Sequence, residues 1–202
     1  DSLGSRGLGD VYKRQMAANA HALARYAALA QEAGMVPIVE PEVLMDGKHS
    51  AKDCFNKTSE VIKRCYDELD INKVDLKGTI LKPNMILPGT DSNETISNNE
   101  VAEMTLECLK NNVPSEVPGV AFLSGGQTEV EATNNLNQIN VKNDSSFIMT
   151  YSYGRALQQS ALKFWSKDIN NIKGTQEVFD HRAKMCTLAA QGKWSESLEN
   201  SK

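Results

Sequence analysis

The chain has 202 residues, and its 22 lysines and arginines stand against 26 aspartates and glutamates, giving a formal net charge of −4. Apolar residues make up 40% and charged residues 24%, ordinary values for a globular protein with enough length for a sizeable core. The mild acidity, with no basic cluster beyond Lys13-Arg14 and Lys63-Arg64, argues against nucleic-acid and anionic-membrane partners, and no apolar run approaches the ~20 residues of a membrane-spanning helix. Four cysteines at 54, 65, 108 and 186 form no CxxC pair, and His21, His49 and His181 are scattered. That spacing suits reduced structural thiols rather than a disulfide framework or a metal site.

Residues 1–16 lack periodicity and an apolar signal-peptide core, and read as a disordered or foreign leader. From Ala17 the apolar residues Ala20, Leu23, Ala24, Tyr26, Ala27, Leu29 and Ala30 predict an amphipathic helix that stops at Gly34. Met35–Val39 is a short apolar run, closed by Glu40-Pro41-Glu42, and a helix is expected over about 50–69. Gly78–Leu81 is the second run, ended by Lys82-Pro83-Asn84. Ser97-Asn-Asn-Glu100 has the pattern of a capping box opening a helix to about Asn111. Val120–Leu123 is the third run, ended by Ser124-Gly125-Gly126 and followed by a helix over about 128–137. Phe147–Tyr151 is the fourth, ended by Ser152-Tyr153-Gly154, and two helices over about 155–166 and 175–191 close the chain. Trp165, Trp194 and the Leu157–Ala161–Phe164 stripe have the spacing of core residues.

Short, near-continuous apolar runs alternating with helices predict an α/β fold with a parallel sheet covered on both faces. Four βα units are about half of an eight-stranded β/α barrel, and they would equally make a small open sheet. Periodicity leaves the two open.

Parallel α/β folds gather chemistry at the carboxyl ends of their strands. Here those ends carry Glu40 and Glu42, then Lys82 and Asn84, then Ser124-Gly125-Gly126, then Ser152, Gly154 and Arg155. A lysine just past a buried strand is partly desolvated, which favours the neutral amine that attacks a carbonyl. Glu40 and Glu42 sit two apart on an extended segment, where alternate residues share a face, and could shuttle protons beside that amine. The glycine pair lets backbone amides approach an anion, and Arg155 offers a fork to a phosphate. The Gly turn and the Arg turn follow the last two runs, where barrels commonly bind phosphate.

Val36-Pro-Ile-Val-Glu-Pro-Glu42, Gly78-Thr-Ile-Leu-Lys-Pro-Asn-Met85, Phe122-Leu-Ser-Gly-Gly-Gln127 and Tyr151-Ser-Tyr-Gly-Arg-Ala-Leu157 closely resemble the class I (Schiff-base) fructose-bisphosphate aldolases, in the family's order. The similarity runs from about Ala18 to about Lys193. The resemblance implies a (β/α)8 barrel that reversibly cleaves fructose 1,6-bisphosphate to dihydroxyacetone phosphate and glyceraldehyde 3-phosphate, without metal or cofactor, as a cytoplasmic homotetramer. It implies that Lys82 forms the imine, that Glu40 is the general acid/base and that Glu42 is the carboxylate beside the lysine. Ser124, Gly125 and Gly126 would bind one substrate phosphate together with Ser152, Gly154 and Arg155. The family's remaining site residues, an aspartate and further lysines and arginines on its first four strands, have no counterpart here, nor does its tyrosine-ended tail. The resemblance therefore implies an incomplete barrel: the second half of one, over 17–202. The alternative is a catalytically inactive half-barrel serving as an interaction module, and a third reading keeps the imine chemistry with another sugar phosphate.

Overall fold

A computed structural model of the chain describes residues 8–200. The elements, in order, are α1 (Leu8–Glu32), β1 (Ile38–Val39), α2 (Ala51–Ile71), a 3-10 turn (Leu76–Gly78), β2 (Ile80–Leu81), α3 (Asn98–Asn112), β3 (Gly119–Phe122), α4 (Glu129–Lys142), β4 (Ile148–Tyr151), α5 (Arg155–Trp165), α6 (Ile172–Ala190) and α7 (Glu196–Glu199). All four expected runs are strands, though the first two shrink to two residues. Helix α1 opens at Leu8, so residues 8–16, expected to be disordered leader, are helical; residues 1–7 lie outside the described residues. Among the described residues no helix is long and apolar enough to cross a membrane.

The strands form one parallel sheet in the order β1-β2-β3-β4. That order settles the choice the sequence leaves open. A doubly wound sheet reverses direction at a switch point, whereas a steady march of right-handed crossovers lays every helix on one face. Accordingly α1 packs on α2, α2 on α3 and α3 on α4, with α4 against α5 and α6. The result is four consecutive units of a β/α barrel, an arc rather than a closed ring.

Register builds the core. Val39, Leu81, Val120 and Met149 are aligned across the four strands, and all are buried toward the helices, with Phe122 one step further. Each such side chain contributes roughly 1.5–3 kcal/mol by leaving water. The next row in the other direction, Ile38, Ile80, Gly119 and Ile148, turns to the concave face, where Ile38 and Ile148 are exposed. The sheet is thus covered on its helix face only.

Capping boxes fix where three helices begin. Ser50 with Asp53, Ser97 with Glu100 and Thr128 with Glu131 each satisfy two backbone amides reciprocally. Helix α4 runs on to Lys142, beyond the expected end, because Ile139 continues its buried stripe. Trp165 is half exposed at the end of α5 and is not the core residue its spacing suggested. Trp194 is buried. It belongs to a clasp that sequence reasoning did not foresee, in which the buried Arg182 of α6 donates to both carboxylate oxygens of Glu199 at 2.7 and 2.8 Å and to Thr133 Oγ1 at 3.0 Å. Trp194 Nε1 donates to the same carboxylate at 2.8 Å, pinning α7 onto α6 and α4.

Candidate active site at the strand ends

Glu40 follows β1 and Lys82 follows β2, and the sheet ladder joins them: Lys82 N–H donates to the Val39 carbonyl at 2.7 Å. One residue past the aligned pair Val39 and Leu81, both side chains turn to the concave face. There Lys82 Nζ lies 2.8 Å from Glu40 Oε1. The lysine side chain is only 19% exposed and the glutamate 41%, so the amine is sheltered while the acid keeps one side toward solvent. Pro83, which carries no amide proton, and the buried Asn84 end the strand immediately behind the lysine.

Glu42 does not join that ion pair among the described residues. It is exposed, and its Oε1 stands 3.6 Å from where a Cβ on Gly125 would be. The two acids therefore face different parts of the site, Glu40 the amine and Glu42 the glycine turn. A cavity of about 210 Å³ adjoins them, lined by Asn19 and Leu23 of α1, Glu40, Pro41, Glu42, and Val61 and Cys65 of α2.

The turn after β3 is held by Leu123 N–H to the Pro83 carbonyl at 3.1 Å and by Gln127 N–H to the Ser124 carbonyl at 3.0 Å. Gly126 has φ +74°, which side chains rarely adopt, and a Cβ there would press on Thr90 and Met45. Ser124 and Gly125 are half-buried and Gly126 is exposed. The turn is braced from behind by a chain of amides: Asn135 Nδ2 donates to Gln127 Oε1 at 2.7 Å, and Asn98 Nδ2 donates to Asn135 Oδ1 at 2.6 Å.

Beside it, Ser152 N–H donates to the Phe122 carbonyl at 2.8 Å, so the fourth strand end is tied directly to the third. Tyr153 is buried, its hydroxyl donating to the Ala132 carbonyl at 2.9 Å. Gly154 caps α5 with no side-chain hydrogen bond and with open space where a Cβ would stand, and Arg155 is exposed as the first helical residue. The start of α5 thus carries an exposed guanidinium with no side-chain cap, a setting suited to an anion. Gln127, Asn135, Tyr153 and Asn84 were not singled out as supports by sequence reasoning. A polar residue just past a strand-end motif is the signal that could have found Gln127 and Asn84.

The loops after β1 and β2 form one wall. Gly89 N–H donates to the His49 carbonyl at 2.9 Å, Thr90 N–H to the Met45 carbonyl at 2.8 Å and Asp91 N–H to the Gly47 carbonyl at 2.9 Å. A Cβ on Gly89 would collide with the Gly47 carbonyl, so this approach requires glycine. Chemically, the site offers a sheltered amine in contact with an acid, and two glycine-containing turns able to hold an anionic group.

The family model described as fructose-bisphosphate aldolase class-I matches residues 10–202. A probable fructose-bisphosphate aldolase class 1 of Xylella fastidiosa is 50% identical over 178 residues, which is 88% of this chain and 53% of that protein. The cytosolic fructose-bisphosphate aldolase 4 of Arabidopsis thaliana is 49% identical over 86% of this chain and 44% of its own length. Among solved structures, the Plasmodium falciparum fructose-bisphosphate aldolase, in complex with TRAP and a small-molecule inhibitor, superposes with a TM-score of 0.87 at 40% identity, covering 95% of this chain and 54% of that one. The chain spans about half the length of the relatives it matches.

Proposed function

Because the chain belongs to the class I fructose-bisphosphate aldolase family, we propose that Lys82 condenses with the ketone of fructose 1,6-bisphosphate and that the resulting imine drives reversible cleavage to dihydroxyacetone phosphate and glyceraldehyde 3-phosphate. The observation that carries this reading is the 2.8 Å contact between Lys82 Nζ and Glu40 Oε1 at adjacent strand ends. Moving the ammonium proton across that contact frees the amine to attack the carbonyl carbon. Glu40 returns a proton to the carbinolamine hydroxyl, which leaves as water. Removal of the hydroxyl proton at carbon 4 breaks the bond between carbons 3 and 4. The electron pair flows into the protonated imine, giving an enamine and releasing the aldehyde. Protonation at carbon and hydrolysis then free the second product and regenerate the amine. The imine is itself the electron sink in this sequence.

Ser124, Gly125, Gly126, Ser152, Gly154 and Arg155 hold a substrate phosphate in the same reading. The carrier protein works in glycolysis and gluconeogenesis, as a cytoplasmic homotetramer with the sugar phosphate as its partner. The test is borohydride reduction of the complete gene product with dihydroxyacetone phosphate, followed by peptide mass mapping. A reduced adduct on Lys82 is the expected result; an unmodified Lys82 overturns the assignment.

The exposed Ile38 and Ile148 on the concave face favour a second reading, in which the arc is an interaction module. It requires a folded, monodisperse 202-residue species that does not cleave the sugar.

A further inference from the structure

The backbone ladder between β1 and β2 ends, among the described residues, at the bond from Lys82 N–H to the Val39 carbonyl. Among the described residues, the next main-chain bonds between the two following loops come at Gly89, Thr90 and Asp91. Between these points lie Glu40 and Glu42 on one side and Lys82 on the other, the groups whose spacing sets the chemistry. Beside the Glu40–Lys82 contact, one side chain reaches across the gap to the opposite main chain. Asn84 is 2% exposed, and its Oδ1 accepts from Val43 N–H at 3.0 Å. Its Nδ2 donates to Thr58 Oγ1 of α2 at 3.0 Å and to the Met85 carbonyl at 3.1 Å, with Cys54 Sγ at 3.7 Å.

This arrangement dictates the residue type. Val43 presents a donor and the Met85 carbonyl an acceptor, so the bridging group must accept at one end and donate at the other. An amide does both without charge, which a buried site favours. Its place in the chain gives the bridge its meaning. Val43 is the residue after Glu42, and Asn84 is the second residue after Lys82.

We propose that Asn84 is a positioning residue for the reaction: it latches the acid-bearing segment Glu40–Val43 to the lysine strand and thereby holds Glu40 within proton-transfer reach of Lys82. The inference rests on the proposed aldolase chemistry and deepens it. Asn84 touches no reacting atom; it acts through Val43 on the acids. Loss of a group that orients a reacting side chain lowers activity by roughly 10–100-fold.

The experiment compares three variants of the complete gene product by fructose 1,6-bisphosphate cleavage, with circular dichroism defining temperatures at which each is folded. Asn84→Leu keeps the branching at Cγ, is bulkier, and has neither hydrogen-bonding function. Asn84→Asp keeps the acceptor for Val43 and loses the donors. Thr58→Val removes only the helix-side partner. The expected result is a kcat reduced roughly 10–100-fold in Asn84→Leu, less in Asn84→Asp and hardly at all in Thr58→Val, with KM unchanged throughout. The order of the last two stands even if Asn84→Leu does not fold. A merely structural Asn84 predicts lowered melting temperatures with kcat equal in all folded variants, and that result overturns the inference. If wild type is trapped by borohydride on Lys82 while folded Asn84 variants turn over normally, only the positioning role falls. If wild type is not trapped, both readings fall.

Discussion

Lys82 and Glu40 lie in one row across two parallel strands, and their charged ends touch at 2.8 Å. The contact is made on the concave face, away from the packed layer of Val39 and Leu81. Substitution there should change chemistry far more than folding. Lys82→Arg keeps a cation beside Glu40 but offers no nucleophile, so borohydride trapping should vanish. Glu40→Gln leaves the amine without its proton partner, and turnover should fall by roughly 10²–10⁴-fold. Thermal melts of both should stay near that of wild type.

The turns proposed to hold a phosphate should respond differently from the lysine. Arg155 is exposed, so Arg155→Ala should leave the melting temperature nearly unchanged. A charge-assisted hydrogen bond to phosphate is worth about 1.5–3 kcal/mol, so KM should rise roughly 10–100-fold. Gly126→Ala should do both kinds of damage, because φ +74° costs a side chain roughly 1–2 kcal/mol and the new methyl meets Thr90 and Met45. Steady-state kinetics with parallel calorimetry separates the two cases.

The clasp between Arg182 and Glu199 should be sensitive to acid. Burial alone would raise the Glu199 carboxyl, but the Arg182 fork, Trp194 and His181 outweigh it and hold the group below its usual range. A carboxyl depressed in the folded state stabilises above its unfolded value and loses that contribution as pH falls through the folded one. The clasp should therefore release below about pH 4, seen as a change in Trp194 fluorescence in a Trp165→Phe background. Arg182→Leu removes the guanidinium from a largely buried carboxylate and should cost about 3–5 kcal/mol in chemical denaturation.

All four cysteines are buried and unpaired by disulfide, and burial pushes their thiols up, Cys65 to about 12 and Cys108 to about 11. The thiolate is the reactive form. Native protein at pH 8 should resist iodoacetamide at every cysteine, and urea-unfolded protein should react at all four. The folded state holds thiol protons that the unfolded chain releases above about pH 8.5, so stability should decline as pH climbs from there toward the folded values.

The strand-end residues were legible in sequence because each follows directly on an apolar run, and Glu40 and Lys82 needed only the parallel register to meet. Ser97-Asn-Asn-Glu100 marked its helix start correctly for a similar reason: a capping box is local chemistry. Arc versus open sheet was not legible in periodicity, since strand order is a long-range property, and it was the resemblance carried by the strand-end motifs that implied half a barrel. Glu42 shows the limit of alternation arguments. Pro41 breaks the regular strand, and two residues on the carboxylate is beside Gly125 rather than in the ion pair. Arg182 and Glu199 are 17 residues apart, and nothing in either neighbourhood marks them as partners. Asn84 was visible as a strand-end residue but its role was not; its bonds to Val43 and Thr58 come from segments 41 and 26 residues away.

Three main-chain bonds, together with a glycine seated against a carbonyl, make the segments around Gly47 and Gly89 a single plate. Neither can be lengthened, shortened or exchanged by itself without orphaning amides in the other. Grafting either segment from a relative must transplant the two together, as one module.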